Sequence, residues 1–338
     1  MSADIRYSIR MDQPSASAIR VPNDLLRTFV FDAARHAEIS QRQASLLADL
    51  LIAVDLRGVY SHGSRQIARY VREIRQGGIN PRPNVTVAHE TANSLVMDGD
   101  YGLGYFPAYE GTIKTIEKAR QHGMAAMVTR HHGHIGAAGI YSRMTLEHDL
   151  LTFVTSGVQL HLSPGKSVVR AAGGSPMSFS APALSEPPLV LDCGVTHDIQ
   201  YNAPQCGPMT QIAPRTVLRA IGFGTVCQSW GGLLAGLSID PRRSTSTYQA
   251  ANQGAMLFTF KISLFADVDQ FKSEMDEYAR QVRQLKPIDA DHDAYLPGGV
   301  EVQTERINRR DGIPLGDEHR QDLEKLAGEL GMKTPWHS

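Results

Sequence analysis

The chain has 338 residues, of which 42% are hydrophobic and 20% are charged. This is the composition of an ordinary folded protein and excludes a disordered or fibrous chain. The 34 basic and 35 acidic residues leave a net charge of −1 with histidine neutral. The chain therefore lacks the basic excess typical of nucleic-acid-binding proteins, and we expect no nucleic-acid partner.

Cysteine content and hydropathy indicate the compartment. The three cysteines, Cys193, Cys206 and Cys227, are too few for a disulfide scaffold and do not have the spacing of a metal-binding pair. The first 20 residues lack the apolar core of a signal peptide, and no apolar run is long enough to span a membrane. We expect a cytoplasmic protein with no membrane partner and a flexible tail over residues 1–20.

The first regular elements are helices. Ser40 and Gln43 have the spacing of a capping box, which predicts a helix from there to about Gly58. Ile67, Tyr70 and Ile74 share one helical face, which predicts a second helix that stops at Gly77. The segment before Ser40 is polar and is interpreted as loose.

Helices and strands then alternate, which is typical of an α/β layer with a substantial sheet. The predicted strands cover residues 85–87, 94–97, 124–129, 150–155 and 188–191. The predicted helices cover residues 107–122, 135–148, 268–286 and 317–330.

The glycines at 102 and 104 invite a test for a dinucleotide-binding fingerprint. The third glycine of that motif is replaced by Pro107, and no acidic residue stands about 20 positions on to bind a ribose. The pattern favours a glycine turn followed by a helix.

A histidine cluster follows the predicted strand 124–129. His131 and His132 are adjacent and should point apart, so we expect no metal site. His134 stands between glycines at a predicted helix start, where an imidazole that titrates near neutrality could donate a proton. The structural alternative is a histidine that only caps or packs.

A second histidine, His62, has an arginine close behind it. His62 could protonate a developing alkoxide while Arg65 binds a carboxylate. The alternative is a helix cap followed by a surface arginine. The GxSxG turn of a serine hydrolase is absent from the sequence.

Taken together, these segments resemble the type 2 malate/L-lactate dehydrogenase family, which includes ureidoglycolate and sulfolactate dehydrogenases, diketogulonate reductases and cyclic imino acid reductases. The resemblance covers roughly residues 20 to 335. It rests on the segments 55–63, 77–81, 98–104, 133–139, 188–192, 296–299 and 312–315.

The resemblance implies a fold and an assembly. The fold would be α/β, with a mixed-sheet, non-Rossmann nucleotide-binding domain over residues 101–286. A helical, dimer-forming domain would combine residues 21–100 with residues 287–338. The protein would be a homodimer.

The resemblance also implies a chemistry: hydride transfer between NAD or NADP and a small 2-oxo, 2-hydroxy or cyclic 2-imino acid. By matching position, His62 or His134 would exchange the proton. Arg65, one residue before the position of the family's arginine, would bind the substrate carboxylate, with Arg57 or Arg69 as substitutes. The cofactor would lie along Ser156, the segment Asp192, Cys193 and Gly194, and the turn Pro297, Gly298 and Gly299.

Three departures leave other functions open. Gln66 stands where the family usually has its carboxylate-binding arginine, a lysine-bearing cofactor loop has no counterpart, and Gly173 and Gly174 replace a GTNP-type loop. The alternatives are a non-redox lyase, hydrolase or epimerase acting on a small carboxylic acid with the same histidines, and a non-catalytic relative.

Overall fold

The computed structural model describes residues 17–199, 206–243, 246–288 and 293–336. Most of the predicted tail, residues 1–16, lies outside this part. The described chain forms two compact units. Unit 1 contains the residues up to Arg72 and those from Glu301 onward, and unit 2 runs from Glu73 to Val300.

Helices form most of unit 1. The two N-terminal helices are α1 (Asn23–His36) and α2 (Gln41–Leu56), followed by α3 (Gln66–Arg75). The C-terminal part supplies α9 (Gly299–Asp311) and α10 (Asp317–Leu330), and strands β1 (Ile19–Val21) and β9 (Ile313–Leu315) pair antiparallel.

The capping box of α2 is confirmed, because the Ser40 hydroxyl accepts a hydrogen bond from the Gln43 N–H at 3.3 Å. The expectation of a loose segment before Ser40 is wrong over α1. That helix buries Leu26, Phe29 and Val30 on one face. Their spacing at i, i+3 and i+4 is the pattern of an amphipathic helix, although most of the residues around them are polar.

A seven-stranded sheet forms the centre of unit 2, with the order β2-β3-β4-β8-β5-β6-β7. The first strands are β2 (Thr86–Glu90), β3 (Ser94–Asp98), β4 (Met124–His132) and β5 (Leu150–Val158). The others are β6 (Pro176–Ala181), β7 (Leu189–Gly194) and β8 (Gln253–Lys261). Strands β3 and β4 are parallel and the other neighbours antiparallel, so the sheet is mixed.

Within the part of unit 2 that the structure describes, five α-helices accompany the sheet: α4 (Tyr105–His122), α5 (Gly139–Met144), α6 (Cys206–Ile212), α7 (Pro214–Cys227) and α8 (Val268–Arg283). Helix α4 lies close to β3 and β4 because Gly111 has no side chain. A Cβ there would lie 2.6 Å from the Met127 Sδ and 2.8 Å from the Met97 Cγ. None of the helices in the described residues is long and apolar enough to cross a membrane.

The boundaries between the two units differ from the expected domain boundaries, which were after residue 100 and before residue 287. Strands β2 and β3 are hydrogen-bonded into the sheet of unit 2, so this unit already begins at Glu73. Its other end is at Val300, just inside α9.

Candidate functional site

His62 ends a short 3-10 turn, Tyr60–His62, between α2 and α3 of unit 1. Its imidazole is half-buried, and its Nδ1 lies 3.0 Å from the Ser61 hydroxyl oxygen. A hydroxyl beside one ring nitrogen can fix the orientation of the ring. This geometry suits a group that exchanges a proton.

A buried carboxylate lies directly behind this turn. The Asp55 side chain is fully buried, and its Oδ2 accepts a hydrogen bond from the Ser64 N–H at 2.8 Å. The Ser64 hydroxyl lies 3.0 Å from the Nε2 of His319, a buried histidine on α10. Asn308 on α9 donates to the Leu56 carbonyl and the Tyr60 hydroxyl, both at 3.1 Å.

Burial dominates the acid–base properties of this cluster. It raises the pKa of Asp55 to about 7, although hydrogen bonds from Ser64 act in the opposite direction. Burial, with a further effect of the Arg65 charge, lowers the pKa of His319 to about 4. The His319 imidazole is therefore neutral at pH 7.

The predicted carboxylate-binding arginine is held by other residues of unit 1. The Arg65 Nε donates to Asp322 at 2.7 Å, and a terminal nitrogen donates to Glu318 at 3.1 Å. Arg69 is exposed on α3, with its guanidinium 6.0 Å from the centre of the Tyr70 ring. Substrate binding by Arg65 would require it to exchange two acidic partners.

His134 lies in an irregular loop of unit 2, between β4 and α5. Its backbone carbonyl accepts a hydrogen bond from the Gly104 N–H at 3.0 Å, and the Gly133 N–H donates to the Gly102 carbonyl at 2.8 Å. A Cβ on Gly104 would lie 2.5 Å from the Gly133 carbonyl oxygen. Gly102 and Gly104 thus contact the loop that carries His134. This contact explains the two glycines, which the incomplete dinucleotide-binding fingerprint did not.

The predicted helix 135–148 is shorter than expected because this loop occupies its start. Gly136 has φ +77°, and a Cβ there would lie 2.4 Å from the hydroxyl of the buried Tyr105. Helix α5 therefore begins only at Gly139, and six of the seven residues of the motif 133–139 are loop.

The other two histidines of the cluster point apart, as expected from their adjacency. His132 is fully buried, with its Nε2 2.7 Å from the Thr129 hydroxyl and its Nδ1 2.7 Å from the Gly133 carbonyl oxygen. Burial lowers its pKa to about 4. The Nδ1 of His131 lies 2.9 Å from the Asp98 carboxylate, and its ring stacks on Tyr101 at 5.2 Å.

Asp192 lies beside the second histidine motif, which is the segment 133–139 that carries His134. Its Oδ2 accepts a hydrogen bond from the Gly139 N–H at 2.9 Å, and a Cβ on Gly139 would lie 2.4 Å from that oxygen. The strand does not stop at Asp192 but continues through Cys193 to Gly194. Burial and the Asp192 charge raise the pKa of the Cys193 thiol, which disfavours a nucleophilic role.

Ser156 is a buried residue inside β5 and not, as expected, at the strand end. A π-helical turn, Gln228–Leu233, packs on it. A Cβ on Gly231 would lie 2.5 Å from the Ser156 Cα, so only glycine allows this approach. The Gln228 amide donates to the Val158 carbonyl at 2.6 Å and accepts from its N–H at 3.1 Å.

The turn Pro297–Gly299 lies against the start of β7. The Pro297 carbonyl accepts a hydrogen bond from the Val190 N–H at 2.8 Å. Gly298 has φ +98°, and a Cβ there would lie 2.8 Å from the Pro188 carbonyl oxygen. Gly299 begins α9. Strands rise about 3.3 Å per residue. Val190, which contacts this turn, and Gly194, another predicted cofactor contact, therefore lie roughly 13 Å apart along β7.

A cavity of about 300 Å³ lies in unit 2 at the far end of β5 and β7. Its lining includes Arg170, His161, Gly173, Gly174 and Thr196. The predicted residue Gly194 adjoins it, since a Cβ on Gly194 would lie 3.5 Å from the Gly174 carbonyl oxygen. Two glycines beside an arginine and a histidine suit an anionic group such as a cofactor phosphate.

Sequence reasoning missed His319 and Asn308 as neighbours of the His62 turn. Both lie about 250 positions away in the chain, and the sequence carries no local signal of the contact. Within the described residues, no three histidine, cysteine or acidic side chains converge in a way that could hold a metal ion.

Comparison with known families gives a match over nearly the whole chain. Residues 21–198 and 205–324 match the model of the malate/L-lactate dehydrogenase family.

Individual relatives agree with this match. A malate dehydrogenase from Pyrococcus horikoshii is 33% identical over 348 residues, covering 93% of this chain and 96% of the relative. Hydroxycarboxylate dehydrogenase B from Escherichia coli K12 is 26% identical and covers 94% and 96%. The structure of malate dehydrogenase from Pyrococcus horikoshii superposes with a TM-score of 0.81, covering 96% of this chain and 99% of that one. Residues paired in the superposition are 22% identical. The expected α/β fold with its mixed sheet is confirmed.

Proposed function

Because the chain belongs to the malate/L-lactate dehydrogenase family and is thus an NAD(P)-dependent dehydrogenase or reductase, we propose that it transfers hydride at C2 of a small 2-oxo, 2-hydroxy or cyclic 2-imino acid. The family match, continuous through both histidine motifs, carries the proposal. It favours redox chemistry over the lyase, hydrolase, epimerase and non-catalytic alternatives.

His62 is our first candidate for proton exchange, and His134 is the second. The Ser61 hydroxyl beside the Nδ1 of His62 supports this order, because an oriented imidazole can give a proton to a developing alkoxide or take it back. The loop that carries His134 is fixed by a hydrogen bond from the Gly104 N–H to the His134 backbone carbonyl.

A nicotinamide cofactor would supply or accept the hydride. Asp192, Cys193 and Gly194 remain the proposed contacts, together with Ser156, Pro297, Gly298 and Gly299. The cavity beside Gly194 supports the proposal for the first group, since Arg170 and His161 can neutralise an anionic ligand. Ser156 would contact a cofactor only if the Gln228–Leu233 turn moved.

The assay follows loss of reduced-nicotinamide absorbance with NADH or NADPH and a panel of 2-oxo acids and cyclic imines at neutral pH. We expect turnover of at least one substrate and a cofactor-dependent rise in melting temperature. No turnover across the panel, with no thermal shift from either cofactor, would contradict the redox proposal. Turnover of a carboxylic acid by cofactor-free protein would favour the non-redox alternative.

We also propose a cytoplasmic homodimer. The three free cysteines agree with a reducing compartment. Trp230 and Phe179, 47% and 43% exposed, pack with Phe153 into an aromatic cluster that a second copy could cover. Light scattering coupled to size exclusion tests the dimer, and a monomer at micromolar concentration would contradict it.

A further inference from the structure

We propose that Asp55 is a positioning residue for His62, acting through its hydrogen bond to the Ser64 backbone. This inference rests on the proposed function, in which His62 exchanges the proton. Asp55 itself is fully buried, and its hydrogen bond to the Ser64 N–H joins it to the backbone that follows His62.

The contact between Asp55 and the turn is specific. The Asp55 Oδ2 accepts the Ser64 N–H at 2.8 Å, which holds the chain two residues after His62. Gly63 lies against the same carboxylate, and a Cβ there would lie 1.7 Å from the Asp55 Oδ1. The residue after His62 can therefore be only glycine, and its path is set by the carboxylate.

The turn is held from its other side as well. Asn308 bonds to the Tyr60 hydroxyl at 3.1 Å, at the start of the turn. Asp55 and Asn308 thus hold both ends of the segment that carries His62, while the Ser61 hydroxyl lies beside the ring. The backbone is therefore held at both ends, and a ring contact lies between them.

Two polar atoms of this cluster, the Asp55 Oδ1 and the His319 Nδ1, are buried without a hydrogen-bond partner among the described residues. Buried unpaired polar atoms lower stability. An apolar side chain at position 55 would remove the first of these atoms, but it would also remove the acceptor of the Ser64 N–H, which fixes the turn.

Three variants test the inference. Asp55→Ala removes the acceptor, and we expect kcat to fall about 100-fold with little change in KM, because a shift of about 1 Å at a catalytic group costs this much. Asp55→Asn keeps an oxygen for the Ser64 N–H, and we expect it to stay within a few-fold of the wild type. Ser64→Ala keeps the backbone bond and should lose much less than Asp55→Ala.

A matched control is Asp276→Ala in unit 2. Asp276 is also a buried aspartate that accepts backbone N–H groups, those of Leu184, Ser185 and Glu186. We expect Asp276→Ala to lower the melting temperature without changing kcat. Equal losses of kcat in Asp55→Ala and Asp276→Ala would show that general destabilisation explains both, and would overturn the inference.

A second measurement does not depend on activity. The His62 imidazole signal in a 1H–13C NMR spectrum is identified by its loss in His62→Asn. We expect this signal to shift in Asp55→Ala and to keep its position in Asp55→Asn. An unmoved signal in Asp55→Ala, or an equal displacement in Asp55→Asn, would overturn the positioning role. If the wild type turns over no substrate, the proposed function fails, and the spectrum alone decides the positioning role of Asp55. If Asp55→Ala does not fold, the spectrum of Asp55→Asn decides that role.

Discussion

The two histidine motifs are stabilised in different ways. The turn before α3 that carries His62 is held by buried ionisable and polar side chains, Asp55 and Asn308. The loop that carries His134 is held by backbone hydrogen bonds to Gly102 and from Gly104, with Gly136 at positive φ. Both motifs contain a glycine against a buried side chain, but the pKa of buried Asp55 is raised and that of buried His132 is lowered, so their stability should respond to pH in opposite directions.

The first prediction asks which motif carries the proton. We expect His62→Asn to lower kcat by about 10²–10⁴-fold, because it removes a general acid–base. His134→Asn should lower it less. The measurement is steady-state kinetics with the best substrate of the panel, with melting temperatures to confirm folding. A larger loss in His134→Asn would reverse our assignment of the two histidines.

The second prediction concerns added volume. Gly63→Ala and Gly136→Ala each place a methyl group within 2.4 Å of a buried side-chain atom, so each should lower the free energy of unfolding by roughly 3–5 kcal/mol. Gly77→Ala is the control. Its φ is +74° but a Cβ there meets nothing within 4 Å, so it should cost about 1 kcal/mol. Chemical denaturation measures all three, and equal costs would show that backbone conformation, and not space, decides.

The third prediction contrasts the pH dependence of the two motifs. The pKa of Asp55 is raised, so the folded state binds its proton more tightly, and wild-type stability falls as pH rises from about 4 to 7, by up to roughly 4 kcal/mol. Asp55→Asn lacks this loss, so its stability relative to the wild type should improve over that range.

His132 should behave in the opposite way. Its pKa is lowered, so wild-type stability rises from pH 4 to about 6.5, by up to roughly 3 kcal/mol. His132→Gln lacks this gain and should become relatively less stable as pH rises. Urea denaturation at pH 5 and pH 7.5 tests both, and the same sign of change in the two variants would contradict the contrast.

The smallest predicted effect concerns Arg65. Because its guanidinium is paired with Asp322 and Glu318 and is partly exposed, Arg65→Ala should cost about 0.2–1 kcal/mol of stability. We expect KM for the substrate to change little. A rise in KM of tenfold or more, with stability unchanged, would instead support the predicted role of Arg65 as the carboxylate-binding residue.

Local patterns determined much of the fold. The capping box at Ser40 and the shared apolar face of Ile67, Tyr70 and Ile74 predicted helices that the structure contains, because these signals depend on neighbours a few residues apart. Strand β8 was missed. It lies in the middle of the sheet and is apolar on both faces, so its residues lack the alternation that marks a half-buried strand.

The sequence by itself determined the family, the two histidine motifs and the alternation of helix and strand. Only the tertiary structure decided that His319 and Asn308 reach the His62 turn, that Arg65 pairs with α10, and that Gly231 packs on Ser156. The physical reason is range. Capping and periodicity act over a few residues, but hydrogen bonds and steric contacts between distant segments exist only once the chain has folded.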